Sequence, residues 1–164
     1  MPITIRPYQP TDLPIILDII NHYIKHSTAI YDYDPRTLAE QHAIMDDKLS
    51  KGFPILVATL EEAVVGFGYF SEFRFKQGYK HTVEHSVYIA SSDIGKGIGK
   101  QLIQALIHLA KENNFQTMIG VIDAENSSSI HFHEQLGFTN AGTLKRVGYK
   151  FDRWLDTVYM QLML

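Results

Sequence analysis

The chain has 164 residues, 45% hydrophobic, 20% charged and 12% aromatic, with a formal net charge of −3 and no cysteine. That length suits one cooperative domain, residues 1–164, burying about two-thirds of its extended surface without a disulfide or structural metal; the absent thiols exclude disulfides, cysteine nucleophiles and thiolate zinc sites. Mild acidity argues against a general nucleic-acid partner. No apolar run reaches the roughly 20 residues of a membrane span, and Met1-Pro2-Ile3-Thr4-Ile5-Arg6 lacks the form of a signal peptide, so a cytoplasmic setting without a membrane partner is expected.

Residues 3–6 predict a short strand. Thr11-Asp12-Leu13-Pro14 reads as a helix start, and Leu13, Ile16, Leu17, Ile20 and Ile24 then recur at the spacing of one buried helix face. Thr37 followed by Glu40 has the form of a capping box, each side chain bonding the other's backbone N–H. The helix it opens carries a modest apolar stripe of Leu38, Ala39, Ala43, Ile44 and Leu49 and ends at Gly52. The β-rich runs 55–60 and 64–70 predict an antiparallel hairpin. Residues 82–89 alternate, with Val83, His85, Val87 and Ile89 on one face and Thr82, Glu84, Ser86 and Tyr88 on the other. Glu84 then requires solvent or a functional cleft, because burying an unpaired carboxylate costs several kcal/mol. Over residues 99–111 the period turns helical, with Leu102, Ile103, Leu106, Ile107 and Ala110 facing inward. Residues 117–122 suit a central strand, and Asn126 or Ser127 can cap a short helix ending at Gly137. Strands opening at Gly137-Phe138 and over 157–162 complete an α/β (α+β) arrangement of helices between strands.

The strongest local signal lies between Tyr88 and Lys100. A strand runs into Ser91-Ser92-Asp93-Ile94, the glycines Gly95, Gly97 and Gly99 follow, and an amphipathic helix begins. Glycines permit tight curvature and close approach, and backbone N–H groups at a helix start can cradle phosphate, with Lys96 and Lys100 adding positive charge. The motif lies past the midpoint of the chain, after a hairpin, and Gln101 follows Lys100 where a Walker motif has Ser or Thr. A dinucleotide fold and a P-loop are therefore disfavoured. Phosphate or pyrophosphate binding stands against a loop that serves only tight strand-to-helix packing.

Elsewhere, His22 and His26 are four apart and His131 and His133 two apart, but no carboxylate-rich set or cysteine accompanies them, and no metal site is expected. Arg74, Lys76 and Lys80 concentrate positive charge in the loop from Ser71 to His81. Arg suits bidentate binding of a carboxylate or phosphinate, whereas Lys acts as a point charge. Tyr31, Phe73, Tyr79 and Trp154 are candidates for an aromatic wall; ordinary packing explains each of them individually as well.

Taken in order, these segments resemble the GCN5-related N-acetyltransferase (GNAT) superfamily over nearly the whole chain. Asn21-His22-Tyr23-Ile24 with Ser27-Thr28-Ala29, Phe73-Arg74 with Tyr79-Lys80-His81-Thr82-Val83-Glu84-His85-Ser86-Val87-Tyr88, and Gly142-Thr143-Leu144, Gly148-Tyr149-Lys150-Phe151 and Arg153-Trp154-Leu155-Asp156 are similar to the phosphinothricin/methionine sulfone (sulfoximine) N-acetyltransferase family. The resemblance implies a central mixed, mostly antiparallel sheet flanked by helices, acetyl-CoA as cofactor, and a homodimer whose active site is completed near the interface. It also implies cofactor contacts at Val87, Tyr88 and Ile89, with the Ile89 N–H facing the thioester oxygen. Further cofactor contacts would come from Ile94, Gly95, Lys96, Gly97, Ile98, Gly99 and Lys100, and from Asn126 and Ser129. One departure stands out: Ile94 occupies the position where the superfamily usually carries Gln or Arg, with Lys96 available to compensate.

Acetyl transfer needs a neutral amine, charge stabilisation on the thioester oxygen and protonation of the leaving thiolate. Glu84 is the expected base, directly or through water, against the alternative of a surface carboxylate paired with Lys80. His133 stands where the superfamily frequently has a thiolate-protonating Tyr; a core histidine satisfied by backbone is the alternative. His131 should point elsewhere. The resemblance makes the substrate a small amino-acid-like amine, phosphinothricin or methionine sulfone or sulfoximine, held by Tyr31, Phe73, Arg74, Lys76 and Tyr79. Another small amine, a protein amine, and a non-catalytic acyl-CoA-binding sensory role are the alternatives.

Overall fold

Apolar spacing along the first helix sets one layer of the molecule. In the computed structural model, which describes residues 1–164, β1 (Ile3–Pro7) leads to α1 (Leu13–His26), and α1 buries Leu13, Ile16, Ile19, Ile20 and Ile24. Ile19, not the predicted Leu17, completes this face. After α2 (Leu38–Ser50) come β2 (Ile55–Leu60), β3 (Ala63–Glu72) and β4 (Thr82–Ile89), then α3 (Ile98–Glu112), β5 (Thr117–Asp123), α4 (Ser127–Gln135), β6 (Thr139–Lys150) and β7 (Arg153–Met163). No helix is long and apolar enough to cross a membrane.

The seven strands form one sheet in the order β1-β2-β3-β4-β5-β7-β6. Every neighbour is antiparallel except β4 and β5, which run parallel. On one face α1 and Met45 of α2 cover Ile55, Val57 and Phe67. On the other, α3 supplies Ile98, Leu102, Ile103, Leu106 and Ala110 against Val83, Met118 and Val158. Gly68 of β3 admits α3 closely: a Cβ there would stand 3.1 Å from Leu106 Cδ1 and 3.0 Å from Val87 Cγ2.

The second helix departs from expectation. The capping box forms, with Thr37 N donating to Glu40 Oε2 at 2.8 Å and Glu40 N to Thr37 Oγ1 at 3.2 Å. Yet Gln41 and Met45 are its buried residues, while Leu38 and Leu49 face solvent. Polar anchors turn it: Arg36 donates to Gln41 Oε1 at 3.1 Å, and the Arg36 backbone exchanges two hydrogen bonds with the Asn21 side chain. The C-terminal hairpin is longer than the short strands expected, because β6 is polar and mostly exposed and so carries little apolar signal. Phe151 and Asp152, at φ 53° and 57°, make its two-residue turn, both in the left-handed conformation that matches the strand twist.

One feature of the sheet creates the site. β4 pairs with β5 only at Thr82↔Thr117, Val83↔Met118 and Glu84↔Ile119. Beyond Glu84, β4 stays with β3 as far as Ile89, and β5 stays with β7 as far as Asp123. The two strands therefore part in the middle of the sheet.

Candidate active site

Glu84 sits at the last paired position before this opening. Its carboxyl is half-buried, and burial raises its pKa above the ordinary carboxylate value, with Lys48 and Arg74 opposing the shift from a distance. It forms no ion pair with Lys80. A cavity of about 160 Å³ lies beside it, walled by Thr28, Tyr31, Glu84, His85, Asp123 and Thr157 among others. An adjoining cavity of about 110 Å³ shares His85, Ser86, Tyr88 and Asp123 and adds Val87, Asn126, Ser129 and His133. Backbone direction supplies a further donor. Ala90 N bonds Val65 O on the β3 side at 2.8 Å, so strand alternation turns the Ile89 N–H and C=O away from β3. The Ile89 carbonyl accepts the Tyr23 hydroxyl at 2.7 Å, which fixes the strand end where its N–H faces the opening.

The glycine loop follows β4 directly. Gly95 and Gly97 adopt φ of +86° and +81°, and nothing lies within 4 Å of where a Cβ would be on either. Gly97 precedes α3, whose first backbone bond runs from Gln101 N to Gly97 O, leaving the N–H groups of Ile98, Gly99 and Lys100 without intrahelical partners. No acidic side chain stands in that first turn. Such a cradle fits a pyrophosphate, whose oxygens need donors and close backbone approach. Ile94 is exposed. Lys96 pairs with Asp93 at 2.6 Å, and Asp93 also accepts the Ser92 hydroxyl.

Asn126 caps α4 as expected, its Oδ1 accepting from Ser129 N at 3.2 Å. One turn on, His133 Nδ1 lies 2.7 Å from Ser129 O, and His133 Nε2 lies 3.0 Å from His85 Nε2 in a near-parallel ring pair. A carbonyl only accepts, so Nδ1 of His133 carries its proton and its Nε2 accepts from the Nε2–H of His85. The Nδ1 of His85 is then a bare lone pair, buried and without a partner. Burial foremost holds both imidazoles below their ordinary pKa, joined at His85 by the facing His133 and opposed at His133 by the Ser129 carbonyl. Both are neutral at pH 7. Gly120 makes room for them: a Cβ there would stand 2.9 Å from His85 Nε2. His131 is exposed on the opposite side of its helix.

The segment from Ser27 to Tyr33 roofs the opening, and sequence reasoning missed what holds it. Thr28 donates its hydroxyl to Asp123, Tyr31 shares a 2.8 Å hydrogen bond with Thr157, and Tyr33 donates to the Tyr149 carbonyl. Lys150, only 3% exposed, donates its ammonium to Ser27 O at 2.8 Å and Ile30 O at 2.6 Å, and burial lowers its pKa. Tyr31 packs on Gly148, where an added Cβ would stand 2.5 Å from Cε2 of the ring. The only local hints were the residues Gly148-Tyr149-Lys150 themselves; their partners lie more than 100 positions away.

Of the substrate candidates, Tyr31 alone lines the Glu84 cavity. Arg74 and Lys76 line a separate open cavity of about 410 Å³ with Lys51, Glu72 and Lys80. Phe73 and Tyr79 meet edge to face at 5.9 Å, with the Arg74 guanidinium 5.3 Å from the Phe73 ring. Trp154 packs on Tyr149 at the C-terminal hairpin, 56% exposed, and joins neither group. No three His, Asp or Glu side chains converge as a metal site.

The sequence matches the acetyltransferase (GNAT) domain family over residues 5–159. It is 41% identical over 165 aligned positions to an L-methionine sulfoximine/L-methionine sulfone acetyltransferase of Pseudomonas aeruginosa, covering 100% of this chain and 96% of that one. An N-acetyltransferase from Staphylococcus aureus Mu50 superposes with a TM-score of 0.97 at 42% identity, covering 99% of both chains. A phosphinothricin acetyltransferase from Sinorhizobium meliloti, solved with acetyl-CoA, gives 0.96 at 36% identity over 100% of this chain and 89% of that one. With a parted β4 and β5, a glycine cradle at the head of α3 and these likenesses along its whole length, the chain belongs to the GNAT acetyltransferases and closely resembles the phosphinothricin and methionine sulfoximine/sulfone acetyltransferases among them.

Proposed function

We propose that this chain is a single-domain enzyme that transfers the acetyl group of acetyl-CoA to the α-amine of a small amino-acid-like acceptor, methionine sulfone, methionine sulfoximine or phosphinothricin. The observation that carries the reading is Glu84: a half-buried carboxylate without an ion-pair partner, at the point where β4 leaves β5, in the wall of a cavity large enough for a small amine. Bound acetyl-CoA supplies an acyl group activated as a thioester and a thiolate that can leave. Backbone N–H groups of Ile98, Gly99 and Lys100 hold the pyrophosphate, and Val87, Tyr88, Asn126 and Ser129 line the arm's path towards the opening. The Ile89 N–H faces the carbonyl oxygen and stabilises charge developing there.

Glu84 takes the proton of the acceptor ammonium and frees the nitrogen lone pair for attack. Its raised pKa suits a base working near neutral pH. Both ring nitrogens of His133 are engaged, Nδ1 with the Ser129 carbonyl and Nε2 with His85, so protonating the leaving thiolate would require the ring to give up one of these bonds. Arg74 and Lys76 lie outside the Glu84 cavity of their own chain. A homodimer in which the partner's loop closes the site would let them meet the acceptor's acidic group, and Phe75, 92% exposed in that loop, suits such an interface.

The direct test follows CoA release with a thiol reagent, for which a cysteine-free protein gives no background. Purified protein with acetyl-CoA should release CoA when offered methionine sulfone, methionine sulfoximine or phosphinothricin. Acetyl-CoA binding without release for any of the three would overturn the assignment.

A further inference from the structure

We propose that Asp123 is the seat of the acceptor's ammonium group, a binding role distinct from the proton removal assigned to Glu84. The inference deepens the acetyl-transfer reading and rests on it. Asp123 ends β5 on the far side of the opening from Glu84 and is 7% exposed. Its Oδ1 accepts the Glu125 N–H at 3.0 Å, and Oδ2 accepts the Thr28 hydroxyl. No cation pairs with it: the nearby Arg153 is committed to Glu125 at 2.5 Å. A buried carboxylate in this state is costly unless a positive charge completes it.

The rest of the cavity wall points to the same missing partner. No Lys or Arg lines it, and it holds a second carboxylate, Glu84, also without an ion pair. The cavity thus has acceptors in excess and lacks a cationic donor. A primary ammonium carries one positive charge and three N–H groups and supplies both. The two carboxylates then divide the work. Asp123, with both oxygens already accepting from protein donors, holds the nitrogen. Glu84 removes one proton, so R–NH₃⁺ and carboxylate become R–NH₂ and carboxylic acid before the amine attacks.

Two substitutions separate this from a purely structural role in roofing the site. Asp123→Asn keeps the size of the side chain, its Oδ1 still accepting the Glu125 N–H and its Nδ2 donating to the Thr28 hydroxyl oxygen, but removes the charge; Thr28→Val keeps the charge and removes the tie to the roof. With the full-length protein, methionine sulfone binding by calorimetry and steady-state kinetics should show Asp123→Asn raising Kd and KM for the amine about tenfold or more. Its kcat should change less than the KM, and acetyl-CoA affinity should hold. Thr28→Val should shift the amine KM by less than about threefold, and the 2-hydroxy analogue of methionine sulfone, which has no ammonium, should bind the parent and Asp123→Asn proteins equally. Equal losses in Asp123→Asn and Thr28→Val, or an amine KM unmoved by Asp123→Asn, would overturn the assignment. Charge-dependent amine binding at Asp123 without CoA release in the parent protein would sink the transfer reading and leave the ammonium seat standing.

Discussion

Gly148→Ala tests whether the roof over the opening shapes the acceptor site. The substitution places a Cβ 2.5 Å from Tyr31 Cε2 and 3.0 Å from Cδ2 and Cζ, where carbon atoms need about 3.5–4.0 Å. The Gly148 φ lies outside the left-handed region, so the effect is steric and comes without backbone strain. The ring must retreat by about 1 Å, which stretches its 2.8 Å hydrogen bond to Thr157 beyond bonding distance. Overpacking costs about 1–3 kcal/mol and the lost hydrogen bond about 0.5–1.5 kcal/mol. Tyr31 borders solvent and can swing outward, which places the total near the lower end, about 2 kcal/mol, and the fall in Tm near 4–8 °C for a chain of this length. Because Tyr31 lines the Glu84 cavity, the KM for the acceptor should rise several-fold while acetyl-CoA affinity holds. Calorimetric unfolding and steady-state kinetics measure both. In a Tyr31→Ala background the same substitution should cost less than about 0.5 kcal/mol, since the clash is gone. A Gly148→Ala protein with parental Tm and KM, or one equally destabilised without Tyr31, would refute the reasoning.

Glu84→Gln should lower turnover by about 10²–10⁴-fold and leave acetyl-CoA binding unchanged. In the parent enzyme, kcat/KM should fall as pH drops through the raised Glu84 pKa, and that acidic limb should vanish in the variant. The stability effect has the opposite sign: burial makes folded Glu84 bind a proton more readily than the unfolded chain does, so its ionisation weakens the fold as pH rises between the two pKa values. Glu84→Gln should therefore be no less stable than the parent at pH 7, and a large loss of Tm would show a structural role instead. Gly97→Val forces a branched side chain into φ +81°, a strain of about 1–2 kcal/mol. As the backbone relaxes, the N–H groups at the head of α3 turn away, and titration should find acetyl-CoA bound about tenfold more weakly or worse; an unchanged Kd would remove the cradle. Lys150→Met leaves the Ser27 and Ile30 carbonyls without their donor. It should cost about 2–4 kcal/mol, read as a Tm lowered by about 5–15 °C, and a parental Tm would show that the roof does not depend on this ammonium.

Local chemistry carried much of the architecture. The apolar face of α1, the Thr37–Glu40 box, the alternation over residues 82–89 and the glycines before α3 are short-range signals, each legible within a turn or two, and the structure contains all of them. Glu84 could be singled out because a carboxylate inside a strand demands an explanation wherever the strand lies. The failures have a common cause. The buried face of α2 is turned by Asn21 and Arg36 from outside the helix, and the C-terminal strands extend through polar residues whose pairing partners hold them.

What the sequence determined by itself was the set of elements, their order and the tight glycine turn before α3, because periodicity and glycine conformation act between near neighbours. Only the tertiary structure decided where β4 leaves β5, that His85 meets His133 across 48 positions, that Lys150 holds a loop 120 residues before it, and that Asp123 faces the opening without a cation. It also took Arg74 and Lys76 out of the Glu84 cavity of their own chain. Those arrangements depend on which distant strands become neighbours, and sheet order is set by the packing of the whole chain, not by any window of it.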